Sequence, residues 1–324
     1  MRQLLGSVLI AAAALVSGNP ALGQVQVDPQ IPSYEKMAGV SGNLSSIGSD
    51  TLNNLMALWA EGFRKQYPNV RIQVEGKGSA TAPPALIEGT AQLGPMSREM
   101  KPEEIDSFQE KYGYKPTQIS VAIDCLAVLV HRDNPVKGLT LPQIDCIFSK
   151  TRKSGFRDIS TWGQAGLKND ANWAEVPISI YGRNSASGTY AFFKEHALGK
   201  GDFKDSVKEQ PGSAAVVDAV SGDRAAIGYS GIGYMTSNVR ALPLARDPQS
   251  PLTQPSFENA ISGKYPLGRQ LYIYVNKKPN EPLPTLVAEF VKYVLSREGQ
   301  EVVVKDGYGP LPGEVAAAEL KKLQ

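Results

Sequence analysis

The chain is poor in the residues that metal and acid–base chemistry usually draw on. Of 324 residues, two are histidine, His131 and His196, and two are cysteine, Cys125 and Cys146. These four show no metal-ligand spacing, so neither a metal centre nor another cofactor is expected. Two cysteines permit a disulfide in an oxidising compartment, and two buried thiols would fit as well; spacing decides neither. Charge of either sign is in no excess, with 34 Lys and Arg against 32 Asp and Glu. Without a basic run or face, binding to nucleic acid or to a membrane surface is not expected. Internal repeats and low-complexity tracts are missing too.

The one long apolar run, Leu4 to Val16, is shorter than the roughly 18–20 residues that span a bilayer. It follows Met1 and Arg2 and precedes the small-x-small site Ala21-Leu22-Gly23. This pattern predicts a secretory signal peptide over residues 1–23 and therefore a periplasmic or secreted protein. No cysteine stands near the cleavage site to carry a lipid anchor. Residues 24–42 are polar and hold Pro29, Pro32 and Gly39, which predicts a flexible mature N-terminus. The mature chain is long enough for two lobes with a core each.

Beyond residue 42, apolar runs of strand length alternate with helical patterns. Strands are predicted at Leu44–Ile47, Val70–Val74, Ile119–Val130, Ile178–Tyr181, Ala225–Tyr229 and Leu271–Val275. Helices are predicted where Leu52, Leu55, Trp59 and Phe63 share a face, around Ala85–Ile87, over Ser187–Ala197 and from Leu286 to Leu295. Such alternation predicts an α/β fold with helices covering mixed, mostly parallel sheets.

Three of the strand-to-helix junctions look alike. Gly48-Ser49-Asp50-Thr51, Gly76-Lys77-Gly78-Ser79-Ala80-Thr81 and Arg183-Asn184-Ser185-Ala186-Ser187-Gly188-Thr189 each combine hydroxyls with glycine. At any one junction these residues could simply cap the helix. Three together, one with an arginine, point instead to an anion site. Helix N-termini offer unpaired N–H donors and partial positive charge, glycine admits close approach, and Arg183 can grip a tetrahedral oxyanion with two parallel bonds. The Walker spacing for a nucleotide phosphate loop does not occur, nor does a Gly-x-Ser-x-Gly nucleophile elbow. The glycines of Gly228-Tyr229-Ser230-Gly231-Ile232-Gly233 stand too close together for a dinucleotide fingerprint.

These junctions resemble those of the phosphate-binding proteins of bacterial phosphate ABC importers. Gly94-Pro95-Met96-Ser97-Arg98, Ala226–Tyr234, Tyr265-Pro266-Leu267 and Gly307–Leu311 extend the similarity over about residues 43–313. The resemblance implies a two-lobed periplasmic binding protein of type II, with lobe 1 over 43–123 and 266–324 and lobe 2 over 124–265. Two crossover strands, passing near Asp124 and Tyr265, would join the lobes. It implies phosphate contacts from Thr51, Leu52, Ser79, Ser97, Arg183, Ser187, Gly188 and Thr189. It also implies inorganic phosphate as ligand, the membrane permease and ATPase of an importer as partners, a monomeric state and no catalysis. Two positions depart from the best-known members: Ser97 stands where a pocket carboxylate is usual, and Ser185 where an Asp commonly accompanies the arginine. Asp50, beside Thr51, is the expected replacement acceptor for the ligand's proton. Two other functions remain open at this point: a secreted phosphatase, for which no nucleophile and base are evident, and an extracellular sensor or adhesion component using the same pocket.

Overall fold

Asp124 stands in the middle of the longest strand of the molecule, and that strand organises the fold. The computed structural model describes residues 25–324; the expected signal peptide, residues 1–23, lies outside them. The first half runs β1 (Gly42–Gly48), α1 (Asn53–Gln66), β2 (Val70–Gly76), a 3-10 turn at Ser79–Thr81, α2 (Ala82–Glu88), β3 (Gly94–Met96) and α3 (Pro102–Tyr112). The long β4 (Thr117–His131) leads to β5 (Leu139–Thr140), α4 (Leu141–Phe148), β6 (Ser179–Arg183), α5 (Gly188–His196), β7 (Lys208–Gln210) and α6 (Ser213–Ser221). Then come β8 (Ala226–Gly231), β9 (Val239–Ala241), β10 (Leu244–Ala245), α7 (Phe257–Ile261), β11 (Gly268–Val275), α8 (Thr285–Leu295), α9 (Arg297–Lys305) and α10 (Gly313–Lys321).

The twelve residues Ile119–Val130 of β4 are all buried, as a continuous apolar run covered on both faces requires. The strand is long because it serves two sets of neighbours. Up to Cys125 it pairs antiparallel with β11, which in turn pairs with β3. From Leu126 it pairs antiparallel with β8 and β9, and β6 continues the sheet parallel to both β8 and β7. β1 and β2, like β5 and β10, form parallel pairs. The sheets are therefore mixed, and the antiparallel pairings all involve β4 or β11. The change of partner falls at Cys125–Leu126. Tyr265, just ahead of β11, donates its hydroxyl to the Leu126 carbonyl at 3.1 Å.

Apolar side chains gather mainly on either side of that change. One core joins α1, the first half of β4, β11 and the C-terminal helices. Leu55, Met56, Trp59 and Phe63 of α1 are fully buried in it, and the Trp59 indole donates to the Gly299 carbonyl at 2.8 Å. A second core packs α4, α5, Trp162 and Tyr229 against the second half of β4. Both cysteines belong to this second core and both are free thiols. Cys125 donates to the Ser256 carbonyl while Cys146 faces Ser154, and burial pushes both thiols up from their usual range.

Two sequence expectations change. The segment from residue 25 to residue 41 has no helix or extended strand, yet it is fastened rather than loose. Ile31 is fully buried, and the Tyr34 hydroxyl lies 2.6 Å from Glu289 and 2.7 Å from the Tyr67 hydroxyl. The chain also does not finish in a single amphipathic helix. Ser296 interrupts it and caps α9 through the Gly299 amide, and α10 follows. α3, α4, α6, α7, α9 and α10 had no counterpart among the predicted helices. In α3 only Phe108 is buried, so the helix carries almost no apolar periodicity to find.

Asp306, at the C-terminal end of α9, gives one pH prediction. Burial pushes its carboxyl up to about 6, against the opposing hydrogen bond from Asn54. A carboxyl raised above its unfolded value of about 3.9 costs stability as pH rises through that interval. Asp306→Asn should thus raise the melting temperature at neutral pH and change it little near pH 4. An equal shift at both pH values would place the effect elsewhere, for instance at the helix end.

Candidate functional site

Capping and anion binding make different demands on the junction hydroxyls, and the structure separates them. In the third junction Ser187 does cap α5, its Oγ accepting from the Thr189 and Tyr190 amides at 3.1 and 3.3 Å. In the first two, no side chain caps α1, the Ser79–Thr81 turn or α2. The hydroxyls of Thr51 and Ser79 are engaged elsewhere, with Thr189 of the third junction and with Ser97 after β3.

Thr51 Oγ1 lies 2.8 Å from Thr189 Oγ1, joining the first junction to the third. Ser79 Oγ accepts from the Ser97 amide at 3.0 Å and lies 3.3 Å from Ser97 Oγ. Gly188 packs onto that pair so closely that a Cβ would stand 2.3 Å from Ser79 Oγ and 2.6 Å from Ser97 Oγ. Gly78, with φ +110°, sits against the Ala186 carbonyl, and the Ala80 amide donates to the same oxygen at 3.1 Å. Any side chain at position 188 would fill the space where three hydroxyl-bearing elements meet. Thr51, Ser79, Ser97 and Thr189 are fully buried and Ser187 nearly so.

Two arginines flank this cluster. Arg183 is 1% exposed, so its charge must be met inside the protein. Its Nη1 donates to Ser213 Oγ at 3.0 Å, its Nη2 to Asp50 Oδ1, and its own amide to the Tyr229 hydroxyl at 3.1 Å. Nε has no partner among the described residues. Arg269 donates through Nε and Nη2 to Asp124 Oδ2 at 2.9 and 2.7 Å, and through Nη1 to the Ser97 carbonyl at 2.9 Å. Its Nη2 also reaches Thr189 Oγ1 at 3.0 Å. Two buried guanidiniums are thus balanced by two carboxylates, with the N-terminal ends of α1 and α5 adding partial positive charge.

The structure brings the nine expected site residues into one region: Asp50, Thr51 and Leu52 at the start of α1, Ser79 and Ser97 together, and Ser187, Gly188 and Thr189 opening α5. Arg183 closes the group from the end of β6. Asp50 has a different task from the one expected of it. Its Oδ1 takes Arg183, and its Oδ2 takes the Ser213 amide at 3.1 Å, so both oxygens are already bound. It holds the Arg183 guanidinium instead. Leu52 buries its side chain in the α1 core, and Thr51 is held from behind by the Tyr308 and Tyr234 hydroxyls, which donate to its carbonyl at 2.9 and 3.1 Å.

Ser213, Arg269, Tyr234 and Tyr308 escaped the sequence reading, and Asp124 was noticed only as a crossing point. A carboxylate inside the apolar run Ile119–Val130 was the available signal, because such a residue needs a buried partner. An open cleft of about 550 Å³ adjoins the cluster, bordered by Ser97 and Arg269 on one side and by Phe192 and His196 of α5 on the other. Among the described residues no group of three potential metal ligands occurs.

The PBP superfamily domain matches residues 34–298. The phosphate-binding protein PstS of Pseudomonas aeruginosa is 54% identical over 324 residues, covering 100% of this chain and 99% of that protein. The chain belongs to the PstS family of phosphate-binding proteins. The protein SphX of Synechococcus elongatus is more distant, 27% identical over 86% of this chain and 80% of its own length. Among solved structures, a putative phosphate ABC transporter substrate-binding protein from Clostridium perfringens with bound phosphate aligns at a TM-score of 0.69. It is 27% identical and covers 83% of this chain and 100% of its own. An ABC-type phosphate transport receptor from Vibrio cholerae, 23% identical at a TM-score of 0.64, shares the fold.

Proposed function

We propose that the chain is a substrate-binding protein that captures inorganic phosphate in the cluster around Arg183 and delivers it to an ABC transporter. The observation that carries this reading is the meeting of three junctions at one buried point. Hydroxyls that do not cap their own helices gather where two buried arginines are held, Arg269 reaching Thr189 and Arg183 keeping an Nε without a partner among the described residues, a donor-rich setting suited to a tetrahedral anion. Thr51, Leu52, Ser79, Ser97, Arg183, Ser187, Gly188 and Thr189 supply the donors, while Asp50 positions Arg183.

In this reading residues 43–123 and 266–324 form lobe 1 and residues 124–265 lobe 2, with the crossings at Asp124 and Tyr265. The bonds Thr51–Thr189, Ala80–Ala186 and Asp50–Arg183 then all run between lobes, as they would in a closed form. Opening about the crossings lets phosphate in, and closure surrounds it with donors. Such a protein works as a periplasmic monomer that docks on the permease and ATPase assembly of its importer. It is a binding protein and not an enzyme, in keeping with its PstS relatives.

Titration calorimetry on protein stripped of bound anion tests the reading. Phosphate should bind tightly with one site per chain, and a chromogenic phosphate ester should not be turned over. No heat of binding with phosphate, or turnover of the ester, would each refute it.

A further inference from the structure

We propose that Tyr234 latches the closed form, its hydroxyl binding the first junction across the division between the lobes, and so sets how fast bound phosphate leaves. The inference rests on the phosphate-binding reading and its two lobes, and it gives a task to the glycine-rich segment Gly228–Gly233 that leads to Tyr234. That segment spans the end of β8 and enters the 3-10 turn Ile232–Tyr234. Tyr234 is partly buried between two cores: it packs against the core of α1 and the C-terminal helices, and against the apolar cluster of β8 and α6. Its hydroxyl stands 3.1 Å from both the Asp50 and the Thr51 carbonyls. Burial raises the pKa of this hydroxyl above its usual value, so it stays protonated and donates.

Closure converges on Asp50 and Thr51. From lobe 2, Arg183 and the Ser213 amide take the Asp50 side chain, Thr189 meets the Thr51 hydroxyl at 2.8 Å, and Tyr234 takes the two backbone carbonyls. The side-chain contacts involve the anion cluster itself. The Tyr234 bond approaches through the backbone, so it can be removed without removing an anion donor. Neither carbonyl would then be left unpaired, because Asp50 also accepts from the Asn53 amide at 3.0 Å and Thr51 from the Tyr308 hydroxyl at 2.9 Å.

The backbone beside Tyr234 seats tightly on lobe 1. A Cβ on Gly307 would stand 2.9 Å from the Gly233 Cα, and one on Gly233 would stand 2.7 Å from the Asp306 carbonyl oxygen. Glycine on both sides lets the turn approach closely enough for Tyr234 to reach the first junction. Tyr308, next to Gly307, donates to the same Thr51 carbonyl from within lobe 1. The two tyrosines therefore differ in one respect: the Tyr234 bond must break when the lobes part, and the Tyr308 bond need not. In an open form water takes over the Tyr234 hydroxyl and its carbonyls, so the bond adds only its net worth to closure. Its loss falls on release, which requires opening, and spares capture, which starts from the open form.

The test is a pulse–chase with radiolabelled phosphate on wild-type protein and two phenylalanine variants, with equilibrium dialysis for affinity. Tyr234→Phe keeps the ring and its packing. It should speed phosphate release about three- to tenfold and lower affinity by the same factor, given the net worth of one hydrogen bond. Association should change by less than about twofold. Tyr308→Phe removes a donor to the same carbonyl from within one lobe. It should speed release less than Tyr234→Phe does, and lower the melting temperature of anion-free protein more. Release at the wild-type rate from Tyr234→Phe overturns the latch. So does a loss of affinity carried by slower association, or a release rate raised as much by Tyr308→Phe, which would make both tyrosines supports of Thr51 alone. Wild-type protein that binds no phosphate would remove the transport reading and the latch with it; binding with unchanged release removes the latch alone.

Discussion

Alanine at position 183 should lower phosphate affinity by about two to three orders of magnitude, with little change in overall fold. The guanidinium is 1% exposed and is held by Asp50 and Ser213 in a fixed pose, so the ligand meets a cation already oriented and desolvated. Removing one partner of such a pair typically costs about 2–5 kcal/mol, and each 1.4 kcal/mol is a factor of ten. Part of that loss comes from Asp50, which keeps Ser213 but loses its charged partner. Arg183→Lys should recover only part of the affinity, because an ammonium cannot hold Asp50, Ser213 and a ligand in the planar fork geometry. Calorimetric titration of both variants with phosphate measures the effect. Near-normal affinity in the alanine variant would take Arg183 out of the site.

The second large effect is expected on stability. Arg269→Met should destabilise the protein by about 3–5 kcal/mol, because it leaves the fully buried Asp124 carboxylate without its only charged partner. The Ser97 carbonyl and Thr189 hydroxyl lose a donor in the same change, so phosphate binding should weaken too. Denaturant unfolding in the absence of anion reads the first effect separately from the second. By contrast, loss of the exposed Lys65–Glu61 pair one helical turn apart should change stability little. An Arg269→Met variant as stable as wild type would show that Asp124 finds another partner.

Much of this molecule follows from local pattern. The α/β class comes from apolar runs of strand length alternating with faces such as Leu52, Leu55, Trp59 and Phe63, because burial imposes a period of two or of 3.6 on the chain itself. The three junctions were legible for a similar reason: glycine and hydroxyls before a helix have few uses, and all of them involve the helix's unpaired amides. Helices with little apolar periodicity, such as α3, left no such trace. The packing of residues 25–42 was hidden as well, because proline and polar residues do not reveal that Ile31 and Tyr34 dock on distant helices.

Sequence alone determined the fold class and the residues of the three junctions, Arg183 among them, since each depends on neighbours a few positions away. Whether those hydroxyls cap or converge was decided only by tertiary structure. So were the free state of Cys125 and Cys146 and the partner each arginine takes. Asp50 reaches Arg183 across 133 positions, and Arg269 reaches Asp124 across 145. No periodicity spans such separations. The Arg269–Asp124 pair is set when strands β4 and β11 pair in register, which puts the two residues opposite each other.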